Sequence, residues 1–168
     1  GMDASNIEAI WQKVFRNYTY LGSRGLITTV LSGIDIALWD IKGQVLGQPI
    51  YDLLGGSLRD SLSLYAHPGP VELIADGLDD IPALVADSCL ELVAEGYDAL
   101  KFDPFIETWP THTEWLGGNI SRRGIHIAID IVAAMREAVG PDIALMVDAH
   151  GSFNVASAVE CIRALEPF

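Results

Sequence analysis

The stretch from Ile143 to Gly151 constrains the fold of this chain more than any other segment. It follows a Gly140-Pro141 break and begins with five consecutive apolar residues, the pattern of a strand that is buried on both faces of a parallel sheet. The run ends on Asp148 and His150, whose side chains should point the same way because alternate residues of a strand share a face. In parallel α/β folds, ligands and catalytic groups lie at this C-terminal end of the strands. A strand-terminal aspartate can also merely cap the next turn, so this stretch alone leaves both interpretations open.

Composition narrows the class of protein. The chain has 168 residues, half of them apolar, which is enough to bury a core in one or two domains. A net charge of -13 argues against nucleic acid or an anionic membrane as a partner. Because we find no membrane-length apolar run and no signal-peptide pattern, we expect a soluble, cytoplasmic protein. Cys89 and Cys161 lack a CxxC spacing and lie in helical patterns, which indicates reduced, packed thiols.

The predicted elements are helical at first and alternate with strands afterwards. Apolar spacing predicts helices over 7–15, 26–46 and 50–54, then strands over 61–67, 99–102 and 143–148, with helices over 80–96, 124–139 and from Asn154 onward. The stripe expected to face inward on the second helix is Ile27, Val30, Leu31, Ile34, Leu38 and Ile41. On the last helix it is Val155, Ala158, Val159, Ile162 and Leu165.

Strands that alternate with helices imply right-handed crossovers and a parallel sheet, so the predicted fold class is α/β. Three strands are too few to close a (β/α)8 barrel, which needs about 250 residues. They are also fewer than a doubly wound sheet normally contains. An open sheet of this size leaves strand edges unpaired. Either another copy of the chain covers the sheet, as in a homo-oligomer, or the chain is a piece of a larger protein.

Four stretches carry a more specific pattern. They are SGIDIALWDIKGQVLGQPIYDLLGG from Ser32 to Gly56 with SLSLYAH after it, DALKFDP from Asp98 to Pro104, IALMVDAHG, and ALEPF near the end. Together they resemble the enolase superfamily, in its mandelate racemase and muconate lactonizing subgroup. The resemblance implies that residues 1–58 form the helical part of an α+β capping domain. It also implies that residues 59–168 form the first three βα units of a partial (β/α)8 TIM-type barrel.

The resemblance implies a metal-dependent reaction of a carboxylate substrate. In that family Mg2+ binds the substrate carboxylate, a base removes the α proton, and the metal and a lysine stabilise the resulting enediolate. Asp148 matches the first of three metal carboxylates, and oxygen ligands of this kind are what Mg2+ prefers. Lys101 matches the first lysine of the Lys-x-Lys pair on the second strand. The loop between Asp103 and Arg123 would lie over the barrel mouth, where loops set specificity.

Two departures from the family pattern favour one reaction over another. Asp103 stands where many members have a second lysine that acts as a base, which weakens the case for a two-base racemase. Its carboxylate would lie near the metal and contact substrate, although it can also merely turn the chain before Pro104. His150 resembles the histidine of sugar-acid dehydratases that protonates the departing 3-hydroxyl, a role that suits imidazole near neutral pH. We therefore favour a dehydratase of an aldonic-type sugar acid.

Two alternatives remain open. One is a racemase or epimerase of an α-hydroxy acid, and the other is a non-catalytic α/β module that binds a protein partner. The module accounts for the short length but not for Lys101, Asp148 and His150 all falling at C-terminal strand ends. The enzyme hypothesis requires these three side chains to converge on one side of the sheet.

The resemblance also implies that parts of the site lie outside this sequence. Only one of the three metal carboxylates, Asp148, is present, and Mg2+ dehydrates reluctantly and needs several oxygen ligands. We therefore expect this chain alone to be inactive and to hold no ion at Asp148.

Overall fold

A computed structural model of the chain describes residues 1–21, 25–69, 80–106 and 117–168. The chain divides into two compact units, Gly1–Leu62 and Ser63–Phe168, called here the N-terminal and C-terminal units. Within the described ranges, no helix has the length and apolar character needed to cross a membrane.

The N-terminal unit is helical, as predicted. It contains α1 (Ile7–Asn17), a 3-10 turn (Thr19–Leu21), α2 (Leu26–Leu46) and α3 (Ile50–Leu53). Helix α2 ends at Gly47, whose φ of 65° is in the left-handed region that favours glycine. The Gly47 N–H donates to the carbonyl of Gln44, and the Gln48 N–H donates to that of Gly43, which is a Schellman motif. A Cβ on Gly43 would lie 2.7 Å from the Gln48 carbonyl oxygen, so this close turn requires glycine there.

The predicted inward stripe of α2 is only partly correct. Leu31 and Leu38 are buried, but Val30 and Ile41 are 54% and 45% exposed. Within this unit the main packing partners of α2 are α1 and the short α3. These two helices cover a narrower strip than the predicted stripe, which leaves its edges exposed.

The C-terminal unit alternates helices and strands. Its elements are α4 (Ile81–Ala94), β1 (Ala99–Phe102), α5 (Arg122–Val139), β2 (Ala144–Val147) and α6 (Val155–Leu165). The two strands pair in parallel, with Ala99 opposite Ala144 and Phe102 opposite Val147. An α/β fold with a small parallel sheet is thus confirmed.

The strand predicted over 61–67 is wrong as an extended element. Ala66 alone forms a parallel bridge, in which its N–H donates to the Ala99 carbonyl at 3.0 Å and its carbonyl accepts from the Lys101 N–H at 2.9 Å. Leu62 and Leu64, the apolar residues of the predicted alternation, are 72% and 66% exposed. The segment therefore has the sequence pattern of a strand but only one residue that pairs like one.

Helix α5 begins two residues earlier than predicted. The Ser121 hydroxyl accepts a hydrogen bond from the Gly124 N–H at 3.0 Å, which caps the helix and draws Arg122 and Arg123 into its first turn. Residues 107–116, which include Trp109, His112 and Trp115 of the predicted loop over the mouth, lie outside the described residues.

The core of the C-terminal unit lies between α4, α5 and one face of the sheet. Val85, Leu100 and Ile131 are fully buried in it, and Phe102 is 2% exposed. Since Leu100 and Phe102 face the helices, the intervening Lys101 lies on the opposite face. Both cysteines are buried free thiols, as predicted, and burial raises the pKa of Cys89 to about 11.

Burial of the last strand and helix differs from the prediction. On β2, which was expected to be buried on both faces, Val147 is 43% exposed. On α6 the expected inward residues Val155, Val159 and Ile162 are 81%, 40% and 66% exposed. The buried residues of α6 are instead Ser157 and Cys161, because the face with small side chains is the one that packs toward α5.

Arg136 of α5 holds three backbone carbonyls together at the N-terminal end of β2. Its Nη1 donates to Gly140 at 2.6 Å and to Ile143 at 2.7 Å, and its Nε donates to Phe168 at 2.6 Å. We expect Arg136→Met to lower the free energy of unfolding by about 2 kcal/mol, because charged donors to partly buried carbonyls are lost. Urea unfolding measures this change, with Arg163→Met on the exposed face of α6 as the control. An equal effect of both substitutions would contradict the stabilising role of Arg136.

Candidate active site

Four polar side chains gather on the sheet face that is turned away from the helices. Lys101 lies on β1 and Asp103 just after it, while Asp148 and His150 follow β2. The Asp148 N–H donates to the Phe102 carbonyl at 3.0 Å, so the parallel ladder continues one residue past β2 and keeps Asp148 on the same face as Lys101. The structure therefore brings together all four residues that the sequence analysis singled out.

Lys101 and Asp148 form an ion pair. Lys101 Nζ donates to Asp148 Oδ2 at 2.9 Å, and the two side chains are 28% and 30% exposed. The residue opposite Lys101 in the strand register is Met146, so Asp148 lies two positions further toward the C-terminal end. Such diagonal neighbours on one sheet face are within reach of a long side chain. The pair is thus open to solvent and places a cation at the strand ends.

The ion pair fixes the charge of both partners. The hydrogen bond from Lys101 is the largest cause that lowers the pKa of Asp148 to about 2, and the His150 backbone N–H adds to it. In return, the hydrogen bond to Asp148 raises the pKa of Lys101 above its ordinary value. Both groups are therefore charged at neutral pH.

Folding stability should depend on this pair below pH 4. Because the folded-state pKa of Asp148 lies below its ordinary value of 3.8, the stabilisation is present above that value and is lost as the pH falls toward 2. We expect Asp148→Asn to lose less stability than the unmodified chain between pH 5 and pH 2. Urea unfolding across this range checks it, with Glu137→Gln at an exposed position of α5 as the control. Parallel pH profiles for the Asp148 variant and the unmodified chain would contradict this expectation.

Asp103 and His150 form a second contact with the same geometry. Asp103 Oδ2 lies 2.9 Å from His150 Nδ1, and Asp103 Oδ1 accepts from the Phe105 N–H at 2.9 Å. If the strand register is continued by one residue, Asp148 lies opposite Asp103. His150 is two positions further toward the C-terminal end, so this contact is diagonal as well. The Asp103 side chain is only 10% exposed, whereas that of His150 is 66% exposed. Asp103 therefore turns the chain before Pro104, as one interpretation predicted, and also holds the imidazole.

The backbone at His150 is held in an uncommon conformation. Its φ is 49°, in the left-handed region where non-glycine residues are rare but histidine is enriched, and Gly151 follows with a φ of 69°. The His150 N–H donates to Asp148 Oδ1 at 2.9 Å, which ties this turn to the ion pair. Strand alternation alone therefore does not set the direction of His150; hydrogen bonds to two aspartates do.

Tyr65 also belongs to the site, and the sequence analysis missed it. Lys101 Nζ lies 5.2 Å from the centroid of the Tyr65 ring, within the range of a cation–π contact. Tyr65 directly precedes Ala66, the one bridging residue of its segment. A signal was available, since an aromatic residue lay near the C-terminal end of the strand predicted over 61–67.

The residues that the structure describes do not by themselves form a metal site. Asp148 has the hard oxygen donors that suit Mg2+, but one of its oxygens contacts Lys101 and the other the His150 N–H. In the ranges that the structure describes, no group of three or more histidines, cysteines or acidic residues could hold a metal ion. Further ligands would have to come from elsewhere.

Comparison with protein families identifies the group to which the chain belongs. Residues 1–55 match the mandelate racemase / muconate lactonizing enzyme N-terminal domain, and residues 84–168 match the enolase C-terminal domain-like family. The chain belongs to the enolase superfamily, in the group of mandelate racemase and muconate lactonizing enzyme. The resemblance drawn from the sequence motifs is thus confirmed, and members of this superfamily generally use Mg2+.

Similar proteins include named dehydratases. A D-gluconate dehydratase of Thermoproteus tenax is 39% identical over 168 residues, which are all of this chain and 31% of that protein. A D-galactonate dehydratase of Ralstonia nicotianae is 36% identical over the same length and is covered to 39%. The chain thus spans 31% to 39% of the length of these curated relatives.

Solved structures agree with this placement. A mandelate racemase/muconate lactonizing enzyme-like protein from Rubrobacter xylanophilus superposes with a TM-score of 0.83 at 36% identity, over 100% of this chain and 45% of the other. A member of the enolase superfamily from Salmonella Typhimurium gives 0.78 at 36% identity, over 99% and 44%.

Proposed function

We propose that this chain carries part of the active site of a dehydratase for an aldonic-type sugar acid such as gluconate or galactonate. The observation that carries the proposal is the convergence of Lys101, Asp148 and His150 on one sheet face at the C-terminal strand ends. The names of the dehydratase relatives support it. Because the chain covers less than half of those relatives, the activity belongs to a longer protein that contains it, called here the full-length protein.

The same relatives support a proposed architecture. Residues 1–58 would be the helical part of a capping domain, and residues 59–168 the first three βα units of a (β/α)8 barrel. The parallel pairing of β1 with β2, and of Ala66 with Leu100, fits three consecutive barrel strands. The sheet face with Lys101 and Asp148 would then line the barrel interior. The exposed Val155, Val159 and Ile162 of α6 would be covered by later units of the barrel.

Asp148 would supply one ligand to Mg2+, and the remaining carboxylates would come from later barrel strands. The donor chemistry fits, but a single carboxylate does not complete the site. When bound, the ion would supply positive charge that stabilises negative charge on the substrate carboxylate.

Lys101 would bind and stabilise negative charge on the substrate. Its ammonium lies at the open face beside Asp148, and its raised pKa keeps it cationic throughout the neutral range. Loss of the α proton to a base outside this chain leaves an electron pair that delocalises into the substrate carboxylate. A fixed cation at that position stabilises the charge as it develops.

His150 would act as the acid that releases the leaving group. Because Nδ1 of His150 contacts Asp103, Nε2 is the ring nitrogen that remains available to a ligand. The imidazole is two-thirds exposed. As the electron pair forms the C2–C3 double bond, the C3–O bond breaks and the 3-hydroxyl takes the His150 proton to leave as water. The enol product then tautomerises to the 2-keto-3-deoxy acid.

A substrate panel tests the proposed function. The full-length protein with Mg2+ is incubated with aldonic acids, including gluconate and galactonate, and with α-hydroxy acids such as mandelate. We expect a 2-keto-3-deoxy acid from at least one aldonic acid. Epimers without loss of water would instead indicate the racemase, and no turnover of any compound would support the non-catalytic module. Either result would contradict the proposal.

A metal titration tests the proposal that Asp148 is one Mg2+ ligand and that the others lie outside this chain. We expect the 168-residue chain alone to show no saturable Mg2+ binding at millimolar concentrations by calorimetry, because it supplies one carboxylate ligand. The full-length protein should bind Mg2+ and lose that binding in Asp148→Asn. A crystal soak that shows an octahedral ion on Asp148, without ligands from another chain, would contradict this expectation.

A further inference from the structure

The nearly buried position of Asp103 suggests a role different from the substrate contact that the sequence pattern predicted. Its side chain is 10% exposed, and both of its oxygens are engaged, Oδ1 by the Phe105 N–H and Oδ2 by His150 Nδ1. Because the side chain is almost buried and both oxygens are already hydrogen-bonded, little of this carboxylate is accessible to a substrate. By contrast, the side chain of its neighbour His150 is 66% exposed.

We infer that Asp103 is a positioning residue that fixes the ring orientation and the tautomer of His150. A carboxylate accepts hydrogen bonds and does not donate them, so the Nδ1 that faces Asp103 must carry a proton. In the neutral ring, Nε2 is then left with its lone pair on the exposed side. The inference deepens the proposed function and rests on it, since Nε2 of the doubly protonated ring would be the atom that gives its proton to the leaving hydroxyl, and the neutral ring that remains keeps its proton on Nδ1.

The local geometry shows how Asp103 is itself held. The Phe105 N–H fixes Oδ1 at 2.9 Å, which leaves Oδ2 directed at the imidazole at the same distance. From the other side, the His150 N–H is fixed by Asp148. Two diagonal contacts therefore link the end of β1 to the end of β2. Lys101 is hydrogen-bonded to Asp148, and Asp103 is hydrogen-bonded to His150.

The substitution Asp103→Asn should change the tautomer of His150 while it preserves the turn at Phe105. An asparagine has one acceptor oxygen, and if that oxygen keeps the Phe105 N–H, the amide NH2 faces Nδ1. Nδ1 must then accept, so the proton moves to Nε2 and the ring nitrogen that faces the ligand is altered while the turn remains. An aspartate-to-asparagine change behind a catalytic histidine is known to act in this way in serine proteases. Asp103→Ala removes the acceptor altogether and serves as the second variant.

The first measurement is the histidine tautomer. The four histidines of the 168-residue chain are labelled with 15N, and long-range 15N–1H spectra are recorded at mildly alkaline pH, with His150→Asn identifying the His150 signals. We expect the Nδ1–H form in the unmodified chain and in Asp142→Asn, an exposed control before β2. Both Asp103 variants should shift to the Nε2–H form. The Nε2–H form in the unmodified chain, or an unchanged form in both variants, would overturn the inference.

The second measurement is kinetic, on the full-length protein with its sugar acid. We expect Asp103→Asn to lower kcat about 100-fold with KM nearly unchanged, because Asp103 acts through His150. A raised KM with kcat retained would make Asp103 a substrate contact and overturn the inference. If the tautomer shifts as expected but the full-length protein dehydrates no sugar acid, the proposed function fails while the positioning role of Asp103 stands.

Discussion

Replacing His150 with asparagine in the full-length protein should lower kcat for dehydration by about 100- to 10,000-fold, the usual contribution of a general acid. Asparagine tolerates the left-handed backbone found at this position, where φ is 49°, so the turn should persist. The backbone N–H also remains available to Asp148. The variant therefore removes the proposed acid while it preserves the turn around it.

Two readouts make this prediction specific. In deuterated water the His150→Asn variant should still exchange the α proton of the substrate, because the proposed base lies outside this chain and Lys101 is intact. It should release little keto acid. His126→Asn on α5 is the control and should behave as the unmodified protein does. Full dehydration by the His150 variant would remove the proposed acid role.

Replacing Lys101 with methionine should lower kcat/KM by about 100- to 1,000-fold, since it removes the preorganised charge that we propose faces the developing negative charge. The change also deprives Asp148 of its hydrogen-bond donor, so its pKa should rise toward the ordinary value. Lys101→Arg keeps the charge but alters the geometry, and we expect it to recover only part of the activity. Lys13→Met on the exposed face of α1 is the control. A Lys101→Met variant within twofold of the unmodified protein would contradict the role of this cation.

Much of the site arrangement could be predicted from the sequence, because strand alternation carries most of it. The apolar run over 143–147 indicated a parallel strand that ends on Asp148, and the period of two predicted that Asp148 and His150 point the same way. The same rule, applied to β1, puts Leu100 and Phe102 into the core and Lys101 on the opposite face. Parallel pairing then brings the two strand ends together without any knowledge of the register.

The contacts within the site could not be predicted, because they depend on that register and on one turn. The pairing of Asp103 with His150 requires an offset of two positions and a left-handed residue after β2. Neither is visible in the residue pattern. The burial errors have another origin: periodicity identifies an apolar stripe on α6, but which face is covered depends on its neighbours. Here α6 packs along Ser157 and Cys161 instead.

The most direct test of the account is a crystal structure of the full-length His150→Asn variant with Mg2+ and its sugar acid, in which slow turnover preserves the substrate. We predict an ion ligated by Asp148 and by the substrate carboxylate, with Lys101 Nζ within hydrogen-bond distance of that carboxylate. The side chain at position 150 should face the 3-hydroxyl from the same mouth of the barrel. An ion bound without Asp148, or a substrate that lies away from Lys101 and position 150, would contradict the claim that these residues form one active site.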